Sequence, residues 1–125
     1  MKSKNYPSNH YCRKNEQIIG TIAGFFTDEF TLYIHLLHIS KEYRNTKDFL
    51  AFKLINEMIN SIPIKVSKVS AITWEGNNNS LNLMQHIGFK IIGKKEQDMV
   101  DERTTIYLEA ELSTVKEKLK RYIRF

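Results

Sequence analysis

Two chemistry-bearing side chains stand together in the run TLYIHLLHI, residues 31–39: Tyr33 and His35. Residues two apart in a strand share a face, so on regular alternation the phenol and the imidazole project to the same side as Leu37 and Ile39. A neutral imidazole near pH 7 is a competent base. His35 and Tyr33 are therefore the candidate catalytic residues. On the same alternation His38 faces the other side, and His86 falls away from the apolar face of its own segment, so both read as structural or solvated. Cys12 adjoins no histidine-plus-acid arrangement and is a poor candidate nucleophile. A second kind of chemistry is suggested at residues 44–49, RNTKDF, where Arg44 and Lys47 precede a helix. A helix N-terminus offers unpaired amides and a partial positive charge to an anion, and the two cations add charge-assisted bonds. A third stretch, EGNNNSLNLMQHIGF, residues 75–89, runs from three asparagines into a short apolar-spaced helix closed by Gly88. Asn77–Asn79 are suited to capping that helix.

The elements that must position these residues can be read from the hydrophobic pattern. HYCRKNEQIIGTIAGFF reads as a hairpin, with one strand through Tyr11, a polar turn at 13–15 and a second strand from Gln17 to Phe26. Gly20 and Gly24 inside that strand call for a backbone or ligand passing close by. Residues 31–39 are apolar on both sides and are expected to form a central strand covered on both faces. Asn45 or Thr46 caps the next helix, Asp48 complements its dipole, and Leu50, Ala51, Leu54, Ile55 and Met58 give it an apolar face before Pro63 stops it. KVSAITW, residues 68–74, is the following strand, parallel to the previous one through a right-handed crossover. Ser80, Leu83, Met84 and Ile87 make one face of the second helix, and two antiparallel strands around 89–95 and 104–112 complete the sheet. The tail STVKEKLKRYIRF reads as an amphipathic helix, with Thr114 and Glu117 at capping-box spacing and Val115, Leu119, Tyr122 and Ile123 as its stripe. The predicted order is β-β-β-α-β-α-β-β and a final helix, an α/β (α+β) arrangement on a mixed sheet. The expected divisions are an extended or disordered N-terminus at 1–9, the domain at 10–112 and the basic helix at 113–125.

The spacing Asn77, Ser80, Leu83, Met84, Gly88, Phe89 resembles the Asn-x-x-Ala-x-x-Leu-Tyr-x-x-x-Gly-Phe signature of the GNAT acyltransferases. The upstream LHISKEYRNTKDFLAFKLI is similar to the family's apolar-x-x-Pro-x-Tyr-Arg segment, which opens onto a phosphate-binding turn and a helix. Together they cover roughly residues 17–95. The resemblance implies a fold whose central parallel strands splay apart and an acyl group, usually acetyl, carried from acetyl-CoA to an amine, with no metal. It also implies that Leu37, Ile39, Arg44, Asn45, Thr46, Lys47, Asp48, Phe49, Asn77, Ser80 and Met84 hold the acyl-CoA, the backbone at Ile39 pairing with the amide-rich pantetheine arm as an added strand would. From the position of His35, some family members use a Glu or His, often through water, as the base.

The chain departs from the family at three places. Met84 stands where many members carry a tyrosine that protonates the leaving thiolate, and methionine cannot donate a proton. The phosphate turn has no glycine, which lets backbone approach a phosphate closely. Only about nine residues precede the hairpin, so the family's usual first strand and two helices, which build much of the acceptor pocket, are expected to be lacking. The tail helix is a candidate substitute, covering its own sheet or that of a second subunit, and the exposed hairpin edge invites a homodimer.

Composition narrows the classes. One cysteine excludes an internal disulfide framework and a cysteine-based zinc site and suits a reducing, cytoplasmic setting. No segment approaches the roughly 20 apolar residues that cross a bilayer, so no membrane partner is expected. The net charge of +5 is concentrated in residues 113–125, where five basic residues against one acid leave +4. A basic tail on a near-neutral body, without aromatic-basic interleaving, makes nucleic acid the least favoured partner. The readings in order are an acyl-CoA-dependent N-acyltransferase acting on a small-molecule or protein amine, an inactive CoA-binding or protein-interaction relic of the same fold, and a nucleic-acid-binding module.

Overall fold

The computed structural model describes residues 8–14, 17–44, 50–95 and 104–122. Six strands form one sheet: β1 (Ser8–Lys14), β2 (Gln17–Asp28), β3 (Thr31–Ile39), β4 (Lys68–Trp74), β5 (Lys90–Lys95) and β6 (Thr105–Glu111), in the spatial order β1-β2-β3-β4-β6-β5. The helices are α1 (Leu50–Asn60), α2 (Asn78–His86) and α3 (Leu112–Leu119), with a single 3-10 turn at Lys41–Tyr43. β3 and β4 are parallel and every other pair is antiparallel. The predicted element order and the parallel centre are both present. The expected N-terminal segment 1–9 lies largely outside the described residues.

All three helices lie on one face of the sheet, where their apolar sides share one cluster with alternate strand residues. Phe52, Leu54, Ile55, Met58 and Ile59 of α1, Met84 of α2 and Val115 and Leu119 of α3 meet Ile22, Leu32, Ile34, Val69, Ala71, Ile106, Leu108 and Ala110. The intervening strand residues face the other way, and several of them stay open: Leu36, Ile72 and Trp74 are each close to half exposed, and Tyr107 is more than a third exposed. The expectation of a central strand covered on both faces is thus corrected. An apolar run reads as buried on both sides, but here its outward half belongs to an open sheet face.

A β-bulge corrects a second expectation. Ala23 pairs with Leu36 but Gly24 pairs with Ile34, which leaves His35 as an extra residue in β3. Such an insertion shifts the phase of alternation. Leu32 and Ile34 face the core before it and Leu37 and Ile39 after it, whereas Tyr33, His35, Leu36 and His38 take the open face. Tyr33 and His35 therefore do not share a side with Ile39, and His38 joins them. The bulge also accounts for Gly24, where a Cβ would lie 2.6 Å from the Tyr33 carbonyl oxygen, so a backbone does pass close by, as its glycine requires.

The ends of α2 and α3 are tied to each other. After α2 the Gly88 N–H donates to the Gln85 carbonyl and the Phe89 N–H to the Met84 carbonyl, at 3.2 and 3.0 Å, which is the Schellman closure. Gly88 has φ +104°, and a Cβ there would lie 2.7 Å from Cγ2 of Thr114 in α3. Gly88→Ala should therefore cost more than the ~1–2 kcal/mol of a left-handed alanine, and Thr114→Ser in the same chain should recover part of the loss. Urea midpoints of the single and double variants measure both. The predicted capping box is not formed, because α3 begins at Leu112 with Glu111 as N-cap and Thr114 lies inside the helix. The buried Leu112, whose N–H donates to the Ser67 carbonyl at 2.8 Å, starts the helix earlier at the end of the sheet. α3 covers its own sheet on the α1 side, and Tyr122 beyond it stacks on Phe52 with ring centroids 4.6 Å apart.

Candidate active site

The parallel strands part company at the bulge. β3 and β4 pair over Thr31–Ile34 and Lys68–Ala71 and no further, although β3 runs on to Ile39 and β4 to Trp74. β2 holds the far end of β3 through the Gly20–Ile39 pair, and β6 holds that of β4 through Trp74–Thr105. The two strands are thus drawn toward opposite neighbours, and a gap opens with His35 at its apex.

The backbone groups that line the gap follow from strand parity. The Ser40 N–H donates to the Ile19 carbonyl at 2.8 Å, flanking the Gly20–Ile39 pair. Ile39 is then in a non-hydrogen-bonded pair with β2, so its own N–H and C=O are directed into the gap, and those of Leu37 likewise. On the other side the Glu75 N–H donates to the Thr104 carbonyl at 2.8 Å, which by the same parity turns the backbone of Ile72 and Trp74 toward the gap. Nε of Arg44 donates to the Ile39 carbonyl at 2.8 Å, tying the guanidinium to the strand end at the mouth. Asn45, Thr46, Lys47, Asp48 and Phe49, the remainder of the expected phosphate turn, lie outside the described residues.

The second helix contributes differently from its sequence reading. Asn77 is the N-cap of α2 but makes no side-chain cap. Its Nδ2 donates instead to Oγ1 of the buried Thr73 at 3.0 Å, fastening the β4–α2 turn. The side chain is held toward Thr73 and makes no bond to the helix amides, and the turn itself is made by Gly76 at φ +97°. Ser80 is partly buried on α2, and Met84 is buried in the core cluster, where it supplies packing and no proton. His86, exposed, uses Nδ1–H on the Asn82 carbonyl at 2.7 Å.

On the open face the rings gather around the apex. Phe25 meets Tyr33 edge-to-face with centroids 5.2 Å apart and lies 5.5 Å from the His35 ring. Burial pushes the Tyr33 phenol above its ordinary 10.0, and the neighbouring Tyr107 phenol adds to the push. Tyr33 is then a protonated donor at neutral pH, and of the two expected catalytic residues only His35 offers a basic group. A raised folded value means that Tyr33 favours the native state fully below about pH 10 and that this contribution is lost as pH rises through the raised value. In an alkaline absorbance titration, one tyrosine should ionise later than the ordinary range, and Tyr33→Phe should remove that late component.

The strand residues Thr73, Trp74 and Tyr107 were missed as site residues by the sequence reading. Their place in β-rich runs marks them as strand residues and carries no signal of a site.

A model of the acetyltransferase (GNAT) family matches residues 2–89. The chain belongs to the GNAT family. None of the curated proteins matches it in sequence. Solved GNAT-type structures share its fold at low identity. A GNAT family acetyltransferase from Elizabethkingia anophelis with acetyl-CoA bound superposes with TM-score 0.73 at 20% identity, over 84% of this chain and 76% of that one. An IAA acetyltransferase from Bacillus cereus gives 0.73 at 17%, over 82% and 76%. Mutant forms of the spermidine/spermine N-acetyltransferase from Vibrio cholerae give 0.73 at 14%, over 91% and 72%. In this GNAT chain the expected splayed parallel centre is present, and the described residues contain no cluster of three or more metal-ligating side chains. No helix among them is long and apolar enough to cross a membrane.

Proposed function

We propose that this GNAT chain is an N-acyltransferase that carries an acyl group, acetyl in the first instance, from acyl-CoA to an amine. The observation that carries the reading is the gap between β3 and β4, opened by the His35 bulge and lined by the backbone of Leu37 and Ile39. Such an edge fits an amide-bearing arm, which can pair with it as a short strand. Bound there, acyl-CoA supplies an activated thioester carbonyl. Arg44, with Lys47 beyond it, supplies the positive charge for the phosphates. Because α1, α2 and α3 fill one face of the sheet, the amine approaches on the other, where a ring nitrogen of His35 takes its proton and frees the nitrogen lone pair for attack. Tyr33 keeps its own proton and serves that face as a donor. Thiol release on mixing with acetyl-CoA and a panel of amines tests the proposal; amine-dependent release is expected, and none with any amine counts against it.

A second reading, a CoA-binding relic without turnover, is favoured by one observation: the helix position that carries a phenol in many relatives is Met84, buried in the core. It predicts that acetyl-CoA raises the melting temperature while no amine provokes thiol release.

A further inference from the structure

The open sheet face has a composition that selects among amines. Cross-strand partners share a face, so the pairs Phe25–Tyr33, Ala23–Leu36 and Ile72–Tyr107, with Trp74 beside the gap, form one apolar and aromatic surface around His35. Leu36, Ile72, Trp74 and Tyr107 remain substantially exposed. Among the described residues, the carboxylates nearest along these strands are engaged, Glu109 with Lys68 at 3.9 Å and Glu75 with Lys94 at 3.3 Å.

We infer that the acceptor is a monoamine carried on an aromatic or alkyl body, seated on Leu36, Ile72, Trp74 and Tyr107 with its nitrogen at His35, and that polycationic amines are poor acceptors. This rests on the acyltransferase reading for turnover but not for binding. Aromatic rings attract a single ammonium through their faces and bury its hydrocarbon body. Each further ammonium of a polyamine would be desolvated on this surface beside carboxylates already paired, at a cost that the hydrocarbon body of a monoamine does not carry. The ammonium gives one proton to His35, the freed lone pair forms the new N–C bond, and the acyl C–S bond breaks with its electron pair leaving on the CoA sulfur, which takes up the nitrogen's second proton as the thiol, so the reaction needs no further reactant.

The chain's single tryptophan is Trp74, so its fluorescence reports occupancy of this face without turnover. The experiment compares phenethylamine with spermidine, by thiol release at saturating acetyl-CoA and by Trp74 fluorescence with CoA present. Phenethylamine is expected to show at least tenfold higher kcat/KM and saturable quenching. Trp74→Ala should raise its KM at least fivefold with kcat within twofold, and Tyr107→Glu, which places a carboxylate on the face, should narrow or reverse the preference. Spermidine equal to or better than phenethylamine on the native chain overturns the inference, as does the absence of both turnover and saturable quenching. Saturable quenching by phenethylamine without turnover would support the assignment of the face and sink the acyltransferase reading alone.

Discussion

Deleting residues 113–125 should abolish cooperative unfolding, leaving a chain that binds hydrophobic dye and melts without a transition. Val115 and Leu119 are fully buried in the same cluster as α1 and the central strands, and Tyr122 lies against Phe52. Truncating one buried leucine costs about 2–5 kcal/mol, while the whole stability of a domain is about 5–15 kcal/mol. Removing the helix takes away two such side chains and bares Phe52, which consumes most of the available stability. Leu119→Ala alone should remain folded with a melting temperature lower by on the order of 10 °C. An unchanged transition in the deletion would show that α3 is an appendage and not part of the core.

His35→Ala should lower kcat/KM for amine acetylation by about a hundredfold or more, the usual range for losing a general base, with acetyl-CoA binding unchanged. Added imidazole should restore part of the rate, because the lost group is small and its position at the apex is exposed. Tyr33→Phe should cost far less, since its phenol holds its proton above the ordinary range and cannot act as the base. A variant lacking His35 that turned over normally would transfer the proton step to bulk water or to His38, which shares the open face.

Much of the fold was legible because its signals are local. The hairpin, the helix stopped by Pro63, the Gly88 closure of α2 and the parallel strands joined by a crossover each follow from residues close in sequence. The bulge was not legible, since TLYIHLLHI alternates without interruption and only its pairing with Ala23 and Gly24 reveals that His35 is surplus. That one insertion reversed the side assigned to Leu36, Leu37, His38 and Ile39. Asn77 was correctly placed at the start of α2 but misassigned in its bond, because Thr73 competes for the side chain only after β4 and α2 have met. The start of α3 was set by Leu112 reaching the core, a tertiary contact that outweighs the Thr114–Glu117 spacing. Trp74 and Tyr107 stand in β-rich runs that read as strands, and whether an apolar strand side is covered depends on elements far away in the chain.

The most direct measurement is a two-dimensional amide spectrum of the 15N-labelled chain titrated with acetyl-CoA. If the gap between β3 and β4 holds the thioester carrier, the largest shifts fall on the amides of Leu37, Ile39, Ile72 and Trp74, and they shrink sharply in Arg44→Ala/Lys47→Ala. Shifts confined to β5, β6 and α3, or saturable binding that leaves those four amides unmoved, would contradict it.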